Sequence, residues 1–342
     1  MIKKLVSASL VLFLIGSVAL AQTDQIQLID KSIKRVKITK ITETTIYTED
    51  RSVEENFPVN TIRCIKFNRE PVQFDKARNL IETDSNEDAI LLLTPDVRET
   101  LGKEAHLNLE MDYLIARAKA NIALSNGDVT KQEAAKLCEA FIKKAPTSYH
   151  YFDLCELTGD LLLAINTKES IEKASEYYMK LNKAPWEDMK MRSMVAIGKI
   201  FLAQNNPAKA QRAYEAVLKL QDKSEMANRM RLIAKMGLAK CLALTGNTGK
   251  AVEDVKKILQ DAQPEDSMVN ALGYNTLGMA YMAANQDKDA VVAFLQVDLL
   301  YSRDVQSHIE ALKNLRTLWK KMSMQNRAQE CTEKLRAYGV ID

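Results

Sequence analysis

Three acidic residues lie at helical spacing near the middle of the chain. Asp153, Glu156 and Asp160 follow one another at intervals that place them on one face of a helix. Clustered carboxylates can act as acid and base where a pocket shifts their pKa values, and they can bind Ca²⁺ weakly. Such a run is more often a polar stripe that faces water. We therefore assign no reaction to these residues.

The other reactive side chains form no recognised catalytic or metal-binding motif. His106, His150 and His308 are far apart in the sequence, and no two cysteines have Cys-x-x-Cys spacing, so a zinc site has little support. The sequence also lacks a nucleophile elbow, a zincin motif, a P-loop and a dinucleotide fingerprint. We expect no enzymatic activity, no cofactor and no metal.

The cysteine count is odd, and this constrains the redox chemistry of the chain. Five cysteines leave at least one thiol unpaired within a single exported chain. We interpret them as small buried hydrophobic residues. A disulfide between Cys138 and Cys155 stays open, because the helices that carry them are expected to be neighbours in an oxidising compartment.

Residues 1–21 have the pattern of a secretory signal. A short basic start is followed by an apolar run over residues 5–18 and by Ala19-Leu20-Ala21, which suits a signal peptidase. The apolar run is shorter than the ~20 residues that a membrane span needs, so cleavage is favoured over an uncleaved anchor. We expect a mature chain without a membrane span, in the periplasm or outside the cell.

The mature chain is almost electrically neutral. The whole sequence has 48 basic and 45 acidic residues, and the signal removes two of the basic ones, Lys3 and Lys4. A neutral chain has no overall field to attract nucleic acid or an anionic membrane. We expect protein partners, from the cell envelope, and no nucleic acid.

Residues 22–70 differ in pattern from the rest of the mature chain. Residues 25–67 are rich in Ile, Val and Thr, alternate with period two, and are broken by polar turns. This pattern predicts four or five short strands, with Pro58 at an edge. Such a short segment has little core of its own. We expect a small SH3-like or Sm-like barrel that packs on the first helix of the next part.

Residues 71–342 change to a helical period of 3.6. The prolines in this part fall where turns are expected, since proline breaks a helix interior. Asn126-Gly127, Gly246-Asn247 and residues 285–287 mark further turns between helices. These signals predict a mainly α domain that is built from short antiparallel hairpins.

A pattern of small, aromatic and aliphatic residues recurs along this helical part. In the clearest copy, residues 272–297, Gly278 and Tyr281 lie on a first helix, and Ala290, Phe294 and Val297 lie on a second. This copy resembles the tetratricopeptide (TPR) repeat. Seven copies are anchored on a small residue of the second helix, namely Ala89, Ala134, Ala174, Ala210, Ala251, Ala290 and Ala328. The resemblance implies an α-solenoid of about seven hairpins with a concave surface for partners.

The TPR register also implies which side chains line the concave groove. In that family these residues lie one position away from the core stripe, whereas Tyr214, Tyr281, Phe294 and Trp319 are expected to pack in the core. The alternative is a solvated face with charges in chance order. The implied groove residues are Lys119, Asp153, Glu156, Asp160, Arg192, Val195, Lys199, Met236, Lys240, Asn275, Met279 and Met282.

The sequence therefore favours a non-enzymatic adaptor of the cell envelope that binds a peptide or helix of a partner in the groove. One alternative is an enzyme or ligand-binding site at the junction of the β module and the helices, which requires a well-formed pocket with several perturbed titratable groups. A further alternative is an assembly factor for outer-membrane machinery, which differs from the adaptor only in its partner.

Overall fold

The computed structural model describes residues 23–50, 53–125 and 128–340. The signal sequence predicted over residues 1–21 and the turn predicted at Asn126-Gly127 lie outside the described residues. Five strands come first, followed by fifteen α-helices in the described part of the chain. This order confirms the prediction of a small β module that precedes a helical solenoid.

The β module is an antiparallel sheet with the strand order β4-β3-β2-β1-β5. A register shift between Ile38 and Lys40 interrupts the pairing of β2 with β3, and such bulges bend a sheet. Ile26, Ile46 and Ile65 are fully buried on its inner face. The strands are β1 (Asp24–Leu28), β2 (Ile33–Ile41), β3 (Thr45–Asp50), β4 (Val53–Pro58) and β5 (Ile62–Lys66), with a 3₁₀ turn at Val59–Thr61 between the last two.

The helices form seven antiparallel hairpins and one additional short helix. Each anchor alanine predicted from the sequence lies on the second helix of a hairpin and is buried. The hairpins are α1/α2 (Val72–Glu82, Asn86–Leu92), α4/α5 (Ala105–Leu124, Lys131–Lys144), α6/α7 (Tyr151–Ile165, Lys168–Leu181), α8/α9 (Glu187–Ala203, Pro207–Lys219), α10/α11 (Glu225–Leu244, Thr248–Asp261), α12/α13 (Ser267–Ala283, Asp287–Leu300) and α14/α15 (Val305–Lys321, Gln325–Ala337). The short helix α3 (Pro95–Leu101) lies between the first two hairpins and was not predicted.

A left-handed residue turns the chain from the first to the second helix of most hairpins. In five of them the next amide donates to the carbonyl five residues back at 2.8 Å, for example Asn206 N to Phe201 O. This hydrogen bond is that of a Schellman motif, which ends a helix where a residue can adopt positive φ. The left-handed residues of these five turns are Asp84, Asn205, Gly246, Asn285 and Ser323.

Glycines on the first helices make room for aromatic rings from the second helices. A Cβ at Gly278 would lie 2.6 Å from Phe294 Cζ, and one at Gly159 would lie 2.5 Å from Tyr178 Cε1. Phe294 and Tyr178 are fully buried. In these hairpins, an aromatic ring of the second helix therefore lies directly against the backbone of the first helix. Tyr214 is buried as expected, whereas Tyr281 and Trp319 are only partly buried.

The coil of the solenoid brings distant hairpins together. Gln306 at the start of α14 donates a 2.7 Å hydrogen bond to the Leu124 carbonyl at the end of α4. Lys240 on α10 pairs with Glu310 on α14 at 2.7 Å. No described helix has the length and the hydropathy of a membrane span.

Candidate ligand-binding cavity at the junction of the β module and the helices

A half-open cavity of about 770 Å³ lies where the β module meets the first helices of the first five hairpins. Residues from the end of β1 and from the segment around β5 form one wall. Helices α1, α4, α6 and α8 and the start of α10 form the others. The polar residues of the helical walls include Arg78, Glu110, Tyr113, Arg117, His150, Asp153, Asp188, Arg192 and Glu225.

A buried ionic network joins the β module to the helices behind this cavity. Arg78 on α1 donates to Glu70 at 2.6 and 2.9 Å and to Glu110 on α4 at 2.9 and 3.2 Å. Glu110 also accepts from the Tyr149 hydroxyl at 2.9 Å and lies 2.9 Å from His150 Nε2. Glu70 accepts from the backbone amide of Phe67 at 3.1 Å. The network therefore fixes the segment after β5 against α1 and α4.

The environment of this network shifts the pKa values of its members. Burial opposes the ionisation of Glu110, but His150 and Arg78 outweigh it and lower the pKa of Glu110 to about 2. Burial also opposes the charge of Arg78, whereas Glu110 and Glu70 raise the pKa of Arg78 above its ordinary value. Burial raises the pKa of Tyr149 well above its usual range. Glu110 and Arg78 are thus held as a permanent ion pair.

Two further ion pairs link successive first helices along the cavity. Asp153 on α6 accepts from Arg117 and from the Tyr113 hydroxyl on α4, each at 2.8 Å. Arg192 on α8 donates to Glu156 on α6 at 2.6 Å. These contacts hold α4, α6 and α8 in a row, so the charges that line the cavity also fix its shape.

Three buried polar atoms on residues of the cavity wall have no hydrogen-bond partner. They are Asn60 Oδ1 from the β module, and Asp188 Oδ1 and Arg192 Nε from α8. Asp188 as a residue is only 8% exposed. Buried polar groups in folded proteins are almost always hydrogen-bonded, so these three atoms are places where a bound polar group would complete the pairing. Three further unpartnered atoms of the described chain, Glu139 Oε1, Ser267 Oγ and Asn275 Oδ1, lie away from the cavity.

The predicted groove residues of the α6 and α8 region fall into different environments. Asp153 and Arg192 line the cavity. Glu156 does not line the cavity and accepts a hydrogen bond from Arg192. Asp160 accepts a hydrogen bond from the Tyr178 hydroxyl at 2.6 Å. Lys199 is exposed and lies near enough to lower the pKa of Asp160, although burial raises that pKa overall.

The remaining predicted groove residues lie away from the cavity. Lys119 pairs with Glu133 on the neighbouring helix α5 at 3.2 Å, and Lys240 pairs with Glu310. Asn275 is buried and donates to the Ser307 carbonyl at 2.8 Å, while Met279 is partly buried in the last apolar cluster. Val195 and Met236 are buried in the core, and Met282 is partly buried.

Sequence reasoning missed the residues that α4 contributes to the cavity. Glu110, Tyr113 and Arg117 follow one another at helical spacing and could have been found by that signal. Arg117, and not Lys119, faces the cavity from this helix. Arg78 and Asp188 carry no sequence pattern that distinguishes them from ordinary surface charges.

The cysteines are free thiols in the structure. Cys138 and Cys155 are fully buried and unpaired, and burial raises the pKa of Cys138 to about 12 and that of Cys155 to about 11. Across the described ranges, histidine, cysteine and carboxylate side chains form no group of three suited to holding a metal ion.

Comparisons with known proteins agree with the hairpin architecture. Residues 195–267, which run from α8 to the start of α12, match the tetratricopeptide repeat family. No curated protein matches the sequence. The solved structures that are similar to it include a Rap protein complexed with Competence and Sporulation Factor (15% identity, 78% of this chain and 75% of that chain, TM-score 0.49) and the apo form of RapI (16%, 78% and 75%, 0.45). The hairpins of the described chain and the match over residues 195–267 together make it a tetratricopeptide-repeat-like α-solenoid behind a small N-terminal β module, an architecture that supports a role as a protein-interaction scaffold.

Proposed function

We propose that the chain is an exported adaptor that holds an extended segment of a partner protein in the cavity between the β module and the helices. The observation that carries this proposal is the set of unpartnered polar atoms on Asn60, Asp188 and Arg192 around one half-open cavity. A peptide offers alternating N–H donors and C=O acceptors, which match the acceptor and donor atoms left free here.

The size of the cavity favours a short segment over a folded domain. Its volume of about 770 Å³ lies within the range of roughly 300–1,000 Å³ that is usual for pockets for small ligands. Such a space takes a few residues in extended form. The β module and the helices would contact the same segment from opposite sides, which gives the β module a direct part in binding.

An enzyme at the junction is the second candidate, because the junction does contain a cavity with several perturbed titratable groups. The directions of these shifts oppose proton transfer near neutral pH, which needs a group with a pKa close to 7. Glu110 stays ionised with its pKa lowered to about 2, and burial keeps Tyr113 and Tyr149 protonated. Each of these three groups is also held by neighbouring side chains. The binding function is therefore favoured.

Site-specific photocrosslinking in cells tests where the partner binds. A photoreactive residue in place of Met226, which lines the cavity, is expected to yield a crosslink to one dominant partner. The matched control replaces Leu91, which is 72% exposed on α2 and does not line the cavity. Equal crosslinking from both positions, or none from Met226, would contradict the proposed site.

Export of the chain is part of the proposal and has its own test. The basic start, the apolar run and the small residues before Gln22 predict removal of the first 21 residues. Fractionation of cells that express the tagged chain is expected to place it outside the cytoplasm, with Gln22 as its first residue by mass spectrometry. A full-length chain in the cytoplasmic fraction would refute export. An assembly factor for outer-membrane machinery would give the same result and would differ in the crosslinked partner.

A further inference from the structure

We infer that the cavity binds a positively charged group of its peptide, an amine or a guanidinium, and that Asp188 is the carboxylate that receives it. This inference rests on the proposed function and names the chemistry of the bound segment. The charges that line the cavity, and the partners that each of them already has, favour a cationic ligand.

Every arginine of the cavity wall already has a carboxylate partner. Arg63 pairs with Glu82, and Arg78 pairs with Glu70 and Glu110. Arg117 pairs with Asp153 and Arg192 pairs with Glu156, so each of these arginines is already neutralised by a carboxylate of the protein. A ligand carboxylate or phosphate would have to compete with these internal partners, which makes an acidic ligand a poor match.

The carboxylates of the cavity outnumber the arginines that could neutralise them. Four lining acids, Asp30, Asp188, Asp222 and Glu225, form no ion pair with any residue of the described chain. Asp30 and Asp222 each accept a hydrogen bond from the amide of a serine two residues further along the chain. The unpaired negative charge therefore favours a cation in the cavity.

Asp188 is the buried member of this set. It lies one helical turn before Arg192 on α8, and the charge of Arg192 acts on it. Arg192 Nη1, however, donates a 2.6 Å hydrogen bond to Glu156, so the Arg192 guanidinium interacts with two carboxylates. Asp188 Oδ1 is left buried without a donor, which is a costly state that a cationic donor would relieve.

The two other unpartnered atoms can form hydrogen bonds with the peptide backbone on either side of such a cation. Arg192 Nε can donate to a peptide carbonyl, and Asn60 Oδ1, on the opposite wall, can accept from a peptide N–H. A lysine or arginine side chain and an N-terminal amine share the required chemistry. Both present a cation beside a peptide group, so the test must distinguish them.

Binding of defined peptide pools to the immobilised mature chain tests this inference. The pools are amidated hexapeptides with Lys, Arg, citrulline, Glu or Ala fixed at one position and the others randomised, each with a free and an acetylated N-terminus. We expect Lys or Arg pools to be retained at least about tenfold better than citrulline or Glu pools, as one charge-assisted hydrogen bond implies. Retention that depends only on a free N-terminus would identify the amine as the bound group.

The variant Asp188→Asn is the decisive comparison. It keeps the shape of the side chain and removes its charge, and it is expected to abolish the preference for a cation without lowering the melting temperature. The matched control is Glu172→Gln on α7, an exposed carboxylate away from the cavity, which is expected to leave the preference unchanged. A cation preference that survives Asp188→Asn would overturn the inference.

The remaining outcomes separate the inference from the proposed function. Peptides retained without regard to charge would overturn the role of Asp188 and leave peptide binding intact. Retention of no pool at all, with the chain folded, would overturn both. Preferential retention of the Glu pool would show that the internal ion pairs open to admit an acidic segment, and would likewise refute the inference.

Discussion

Replacing Arg78 with methionine is expected to lower the free energy of unfolding by about 3–5 kcal/mol. Arg78 is 8% exposed and is the only cation of the described residues that contacts both Glu70 and Glu110. Without it, two buried carboxylates face each other with too few donors. Equilibrium denaturation by guanidinium chloride would measure the loss. A change below about 1 kcal/mol would show that the network contributes little.

An exposed arginine of similar geometry supplies the control. Arg98 pairs with Asp112 at 2.6 Å, but its side chain is 38% exposed, so Arg98→Met is expected to cost less than about 1 kcal/mol. A second variant separates the loss of charge from the loss of shape. Replacing Arg78, Glu70 and Glu110 together with apolar residues is expected to recover only part of the stability. No unpaired carboxylate or guanidinium is then left in the interior, but Tyr149 and His150 lose the acceptor that they share in Glu110.

The Arg78 variant is also expected to loosen the β module specifically. Cys64 on β5 lines the same cavity, and burial raises the pKa of its thiol. Loss of the Arg78 charge by itself raises the pKa of Cys64 and slows its alkylation, so faster alkylation of Cys64 in Arg78→Met reports a gain in exposure. We expect that gain, while alkylation of the fully buried Cys155 on α6 should not change below the unfolding transition. Equal acceleration at both thiols would instead indicate global unfolding.

The repeat architecture could be predicted from the sequence because its signals are local. Gly278 lies on the first helix of one hairpin, and Ala290 and Phe294 lie on its second helix. Their spacing in the sequence therefore identifies the contact between Gly278 and Phe294. The same holds for the strands, whose alternation is visible within a few residues. The helix α3 escaped prediction because it lies between two repeats and carries no copy of the pattern.

The junction of the β module and the helices was one of the sites considered from the sequence, but the residues that line the cavity there could not be predicted in the same way, because they come from distant parts of the chain. Arg78 and Glu110 are 32 residues apart, and Tyr113 and Asp153 are 40 apart. Their meeting depends on how the β module docks and on how far each hairpin rotates against the next. The exact position along a helix also matters, as Lys119 and Arg117 show: two positions change the direction of a side chain by about 200°, and of these two residues Arg117 lines the cavity.

The Tyr214 ring is packed against two glycines of neighbouring helices. Its side chain lies between two helices, where a Cβ at Gly198 on α8 would be 2.5 Å from Cε1 and one at Gly237 on α10 would be 2.4 Å from Cε2. Gly237→Ala is therefore expected to lower the free energy of unfolding by about 1–3 kcal/mol through overpacking. The loss should appear even though alanine favours a helix over glycine by about 1 kcal/mol.

A glycine in open space provides the opposite expectation. Nothing lies within 4 Å of a Cβ built at Gly249 on α11, so Gly249→Ala is expected to raise the free energy of unfolding by about 0.5–1 kcal/mol. Both variants can be measured by the same denaturant titration. If Gly237→Ala were also stabilising, the ring would have to be able to move away, and the close packing of Tyr214 would not define the repeat.

A double-mutant cycle then assigns the cost to the ring itself. Tyr214→Ala alone is expected to cost about 3–5 kcal/mol, because it removes a fully enclosed aromatic side chain. In that background Gly237→Ala no longer meets a ring, so its effect should change sign from destabilising to neutral or stabilising. The coupling energy should lie within about 0.5–3 kcal/mol for residues in contact. Additive effects would mean that the penalty at Gly237 arises from the helix backbone and not from Tyr214.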